Sequence, residues 1–184
     1  MLFRSPDVVI GAAGAAGILA LAANRVTDHS AGAVDNAAGV VAVLATLDAL
    51  PPDAAVGVVF PDAEEYGLLG ARALVRERAN LLGDTCLVNF DGIDDRGFTI
   101  ALIHRPGPTI ERVAAALGAR RARWLPVLVD GLVLAGAARE GVTIMRGDWG
   151  TATIVHTPRD SAQRLTLEGV RKVAEGVARA LTQV

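Results

Sequence analysis

The chain has 184 residues, 52% of them hydrophobic but only 4% aromatic, and a formal net charge of −2. That length suits a single domain with a core packed from Ala, Val and Leu, and the near-neutral charge leaves no electrostatic footprint for nucleic acid or for an anionic membrane. The one cysteine, Cys86, excludes an internal disulfide, reads as a small buried hydrophobe and fits a cytoplasmic setting. Against that location stands Arg4 followed by the apolar run 8–23, which ends near Ala20-Leu21-Ala22 in the manner of a secretory leader. The run is too short to span a bilayer comfortably, so no membrane partner is expected.

In chain order, residues 18–23 read as a buried strand and 37–50 as a helix with Val40, Val41, Leu44 and Leu47 as its apolar positions, stopped by Pro51 and Pro52. Residues 55–60 form an apolar run of strand length, and a helix follows over about 66–78. Further strands are expected at 85–90, 98–103, 142–145 and 151–155, and helices at 109–117 and 167–181, the last with Val170, Val173, Val177 and Leu181 on one face. The cluster Arg120, Arg121, Arg123 reads as a solvated helix end. Strands alternating with helices imply an α/β fold: one three-layer domain with a mostly parallel, mixed sheet covered by helices on both faces.

Four stretches carry the candidate chemistry. Asp35 lies in a Gly-rich loop just before a helix, where it is either a helix N-cap or a carboxylate projecting toward the sheet edge. Glu64 and Glu65 are adjacent acids directly after an apolar strand, an arrangement whose repulsion a cation relieves. Because neighbouring residues point in different directions, one can hold a metal while the other reaches the water on it. The bland reading is two acids at the positive end of a helix dipole. Asp91 follows the run 86–90 and falls at the carboxyl end of a strand, where a turn role is the alternative. His156 closes the apolar stretch 153–155, and Asp160, four residues on, is placed to orient its imidazole. One imidazole and several carboxylates meeting at a sheet edge suit Zn²⁺, and such edges are where open α/β sheets bind ligands.

Taken in order, Gly-Ala-Val-Asp-Asn-Ala-Ala-Gly from Gly32, Glu-Glu-Tyr-Gly-Leu-Leu-Gly from Glu64, Asn-Phe-Asp-Gly from Asn89 and His-Thr-Pro-Arg-Asp from His156 resemble the co-catalytic zinc aminopeptidases, the metallopeptidases that include bacterial leucyl-type aminopeptidases and the related glutaminyl cyclases. The resemblance runs from about residue 18 to the C-terminus. It implies one or two Zn²⁺ ions, with Asp35 bridging two metals, Glu65 and His156 completing one site, Asp91 serving the second, and Glu64 as the general base toward metal-held water. It also implies hydrolysis of the N-terminal residue of a peptide or small aminoacyl compound; the sequence leaves the oligomeric state open, a homo-oligomer included. Single-metal hydrolysis, cyclisation of an N-terminal glutamine, and a non-catalytic binding or assembly module are the rival functions. Two departures from the family pattern stand out. Where the family has a His-x-Asp motif this chain reads Asn24-Arg25-Val26, so the second metal site lacks its histidine, for which Asp28 and His29 are the nearby substitutes. The chain is also short at its N-terminus by this comparison, and a strand or a pocket wall is expected to be missing.

Overall fold

The computed structural model describes residues 29–182. The strand expected at 18–23, the apolar run 8–23, Asn24-Arg25-Val26 and Asp28 lie outside the described residues. Four strands, β1 (Cys86–Ile93), β2 (Phe98–Arg105), β3 (Arg120–Ala122) and β4 (Glu140–Gly147), make one sheet in the order β1-β4-β2-β3. β1 pairs with β4 and β2 with β3 in parallel, whereas β2 and β4 run antiparallel. The sheet is thus mixed and mostly parallel. Around it lie α1 (Ala38–Ala49), α2 (Leu69–Arg78), α3 (Pro108–Ala116), α4 (Asp130–Ala137), α5 (Trp149–Ala152) and α6 (Glu168–Thr182).

Side chains alternate across a strand, and that alternation divides the core in two. Phe90, Ala101, Ile103, Val142 and Ile144 pack with residues of α1, α3 and α6, among them Ala42, Val113 and Val173. α6 supplies Val170, Val173 and Val177 at helical spacing, each fully buried side chain of this size stabilising by about 1.5–3 kcal/mol relative to exposure. Leu87, on the opposite face of β1, packs with Leu68, Ala71 and Leu134 at α2 and α4. Cys86 is half-buried against the first cluster, and burial pushes its thiol up to about 11, which makes it a packing residue.

Four sequence expectations are corrected by the structure. Residues 55–60 form no strand among the described residues, and Val56, Val58, Val59 and Phe60 are exposed. An apolar run becomes a strand only when a neighbour takes its backbone hydrogen bonds, and no described strand pairs with it. Residues 151–155 continue α5 as helical turns, with Asp148 capping the backbone of Thr151 and Thr151 returning the bond. The Arg120 cluster begins the edge strand β3, where the Arg120 guanidinium lies 3.6 Å over the Phe98 ring. Lastly, α1 turns Ala38, Gly39 and Ala42 inward and leaves Val40, Val41 and Leu44 exposed. The helix sits so close to β1 that a Cβ on Gly39 would stand 2.8 Å from the Phe90 carbonyl oxygen, so only small residues fit the contact.

Candidate metal centre

Three loops meet at the carboxyl end of β1. The first precedes α1. Gly32 takes a left-handed φ of 63°, and the turn Ala33–Ala37 contains Asp35 and Asn36 in non-helical conformations, with a cis peptide between them. Asn36 Nδ2 donates to the Phe90 carbonyl at 2.9 Å and ties the turn to β1. The Asp35 side chain caps no helix; its Oδ2 lies 3.0 Å from His156 Nε2. The second loop precedes α2, where the non-glycine residues Ala63 and Leu68 both hold positive φ on either side of Glu64 and Glu65. Such a conformation costs about 1–3 kcal/mol, and here the fully buried Leu68 anchors it. The third loop carries His156, itself at φ 62°.

His156 Nε2 also stands 2.8 Å from Glu65 Oε1. Donor atoms of Asp35, Glu65 and His156 all lie within 4.8 Å of one another. Two carboxylates and an imidazole closing on one point make a donor set that suits a tetrahedral divalent metal, whose ligand-to-ligand edge is about 3.4 Å. Relative exposures of 49% for His156 and 38% for Glu65 leave the point open to a ligand from solvent.

Asp91 and Glu64 stand beside this set and outside it. At Asp91 and Gly92 the ladder slips, because Phe90 pairs with Ile144 but Ile93 with Arg146, and Gly92 takes a φ of 59°. A bulge of this kind re-aims the side chain it carries. Burial, with the charges of Asp35, Glu64, Asp130 and Glu65, pushes the Asp91 carboxyl up to about 8. Burial first, then Glu65, Asp35 and Asp130, push Glu64 up to about 7. Burial raises Asp35 as well, against the opposing pull of His156. A group of acids held above their ordinary range by burial and mutual repulsion is the electrostatic state a cation relieves.

Asp160 does not orient the His156 imidazole. Its fully buried carboxylate accepts from the backbone N–H of Val34 at 2.7 Å and of Asp35 at 3.2 Å, so it fastens the Asp35 turn to the His156 loop. The same loop is pinned from below by Asp94, which accepts from Thr151 and from Arg164 on its two sides. Asp160→Ala should therefore weaken divalent-metal binding 10- to 100-fold, the usual effect of losing a group that orients a ligand, and competition with a chelating dye measures it. An unchanged affinity would mean that Asp35 holds its place without the clamp.

Sequence reasoning missed Asp130. It opens α4, is only 7% exposed, and its charge reaches both Glu64 and Asp91. The available signal was an acid directly before an apolar stretch of helical length, 131–135. His29, the loop histidine at the start of the described chain, is exposed and does not fall within the three-donor group. No curated protein and no solved structure matches the chain. A family model, Peptidase family M28, matches residues 19–181. Because that match begins before the Asp35 turn and ends in the last turn of α6, every loop of the site falls within it, and the chain belongs to Peptidase family M28, a family of metal-dependent peptidases that includes co-catalytic zinc aminopeptidases and glutaminyl cyclase-like proteins.

Proposed function

We propose that the protein is a zinc aminopeptidase that removes the N-terminal residue of peptides or small aminoacyl compounds, working with one tightly held zinc. The observation that carries the reading is the convergence of Asp35, Glu65 and His156 with an unliganded acid, Glu64, adjoining Glu65. Those three residues would hold the zinc. When bound, it supplies Lewis-acid polarisation of the scissile carbonyl and acidifies water. Glu64 takes the proton of the attacking water and delivers it to the leaving amine, a task for which a pKa near working pH is suited. A nearby cation favours its ionised form, which makes it a base and not an acid at the start of the cycle. Asp160 and Asn36 keep the Asp35 turn in register with β1 and the His156 loop.

On the α4 face, a cavity of about 320 Å³ between β2 and the stretch before α4 is lined by Leu102, His104, Trp124, Leu128 and Leu132. Its walls are mostly apolar, with Arg123 among them, and we read it as the seat of an uncharged substrate side chain. The single-metal form is preferred because the sequence has Asn24 where the family has histidine; among the described residues, Asp91 stands outside the converging donors. Calorimetric titration should give one tight zinc equivalent per chain; two equally tight equivalents would contradict this. Zinc-loaded protein should cleave aminoacyl-p-nitroanilides, and chelation should abolish the cleavage. Failure on a broad aminoacyl panel, with zinc demonstrably bound, would discard the enzymatic reading.

A further inference from the structure

We propose that His104 makes the cavity before α4 select a substrate side chain that ends in an uncharged hydrogen-bond acceptor, a carboxamide of the asparagine type, over an aliphatic one. This rests on the aminopeptidase reading above, with the cavity as the seat of the first side chain. The chain itself joins the cavity to the metal centre. Val129 lines the cavity, and the next residue, Asp130, carries the charge felt at Glu64 and Asp91. Across the sheet, Leu102 on the cavity wall pairs with Thr143, and Thr143 pairs with Asn89, just short of Asp91 on β1. Alternate residues of a strand share a face, so His104 stands with Leu102 on the side that α4 covers, where a Cβ on Gly131 would lie 2.2 Å from Thr143 Oγ1.

Two hydrogen bonds set what the imidazole offers. His104 Nε2 lies 2.8 Å from Oγ1 of the fully buried Thr143, and Asn89 Nδ2 donates to the same oxygen at 3.2 Å. An amide nitrogen only donates, so it occupies a lone pair of the hydroxyl. The hydroxyl proton is left for His104 Nε2, its one acceptor among the described residues. Burial holds the imidazole below its ordinary range and so keeps it neutral. The ring proton is therefore on Nδ1, which no described residue accepts, in a ring that lines the cavity. The other polar side chains of the lining, Arg123 and Trp124, are donors as well.

A cavity whose polar side chains all donate suits a substrate side chain that accepts. An aliphatic side chain would cover the Nδ1 proton without giving it a partner, and that is the analogue a hydrogen-bonding site rejects most strongly. A carboxylate also accepts, but it would stand beside Asp130 and the acids around it, whereas Arg123 is exposed and its charge is screened by water. A carboxamide takes the proton on its oxygen without that repulsion. Its own N–H groups keep water at the mouth, where Trp124 and Leu128 are 76% and 63% exposed.

The test compares leucinol with asparaginol, whose side chains have one shape and which hold no scissile bond, binding to the zinc-loaded full-length protein by ligand-observed NMR. Asparaginol should bind about three- to tenfold tighter, the net worth of one neutral hydrogen bond. His104→Phe should turn the preference toward leucinol. Thr143→Val frees the imidazole to carry its proton on either nitrogen and should shrink the preference to within about twofold. Two variants guard against one that fails to fold. In the unsubstituted protein, proton–nitrogen correlation NMR should find the His104 proton on Nδ1. Equal binding of the two alcohols by the wild type overturns the proposal, as does tighter binding of leucinol. A preference that survives both substitutions overturns it too, and so does an imidazole protonated on Nε2. The readout is binding, so it separates the two readings. A protein that prefers asparaginol and cleaves nothing loses the peptidase assignment, and one that cleaves aminoacyl substrates without the preference loses only the selective cavity.

Discussion

Glu64→Gln should lower turnover of an aminoacyl reporter 10²- to 10⁴-fold while leaving the fold and the zinc content as they are. General acid–base catalysis commonly contributes a factor of this size, and glutamine keeps the shape of the side chain while removing the group that accepts the proton. The zinc donor in this turn is the neighbouring Glu65, whose Oε1 stands 2.8 Å from His156 Nε2, and the substitution leaves it in place. The turn itself is built from backbone bonds, with Gly67 and Leu68 N–H donating to the Glu64 carbonyl at 3.0 and 2.8 Å, which an amide side chain does not disturb. Equal zinc occupancy by mass spectrometry and an unchanged melting temperature are the controls. A variant as active as the wild type would move the base elsewhere, with Asp91 and Asp130 the first residues to substitute. A variant that loses zinc would mean instead that Glu64 is itself a ligand.

The residues of this site were legible as motifs that each set an acid or an imidazole at a break in an apolar run, although the runs before Glu64 and His156 are not strands among the described residues. Asp35 and His156 are 121 positions apart, and the order of the four motifs, not a strand end, pointed to their meeting. What periodicity could not carry was partnership. Residues 55–60 have the composition of a strand and no described neighbour, whereas Arg120–Ala122 are charged and pair with β2 because an edge strand tolerates charge. The apolar stretch 151–155 is too short for its period to distinguish strand from helix, and the reciprocal bond between Asp148 and Thr151 decides for the helix. Asp160 was legible as a supporting carboxylate but not by its target. Four residues along the chain from His156 suggested the imidazole, and the fold instead carries it to two backbone N–H groups 125 and 126 positions away. Asp130 was missed for a related reason, since an acid at the start of a helix is commonplace until the fold shows that this one is buried beside others.

The same cluster of acids makes a strong prediction about pH. In the zinc-free protein Asp91 titrates at about 8 against an ordinary 3.8, and Glu64 at about 7 against 4.5. Burial also raises Asp35 and Asp130. Between roughly pH 4 and 8 the folded chain thus binds more protons than the unfolded chain, and stability must fall as pH rises through that window. The contribution of these groups is fully present below the unfolded values and is lost by the time the folded values are passed. Each unit of displacement is worth about 1.4 kcal/mol, but the acids share one another's repulsion and their shifts do not add, so a loss of about 2–4 kcal/mol is the reasonable size. For a chain of this length that is roughly 5–15 °C in melting temperature between pH 5 and 8. Zinc should reverse the trend, because it occupies the site in place of protons and binds more tightly as they leave. The gap between zinc-loaded and chelator-treated melting temperatures should therefore widen from pH 5 to pH 8. Asp91→Asn should flatten the zinc-free curve more than Glu64→Gln, because burial and neighbouring charge displace the Asp91 carboxyl further. A zinc-free melting temperature that is level or rising across this window would mean that the four acids are solvated in the folded chain, and the case for a cation-seeking site would fall with it.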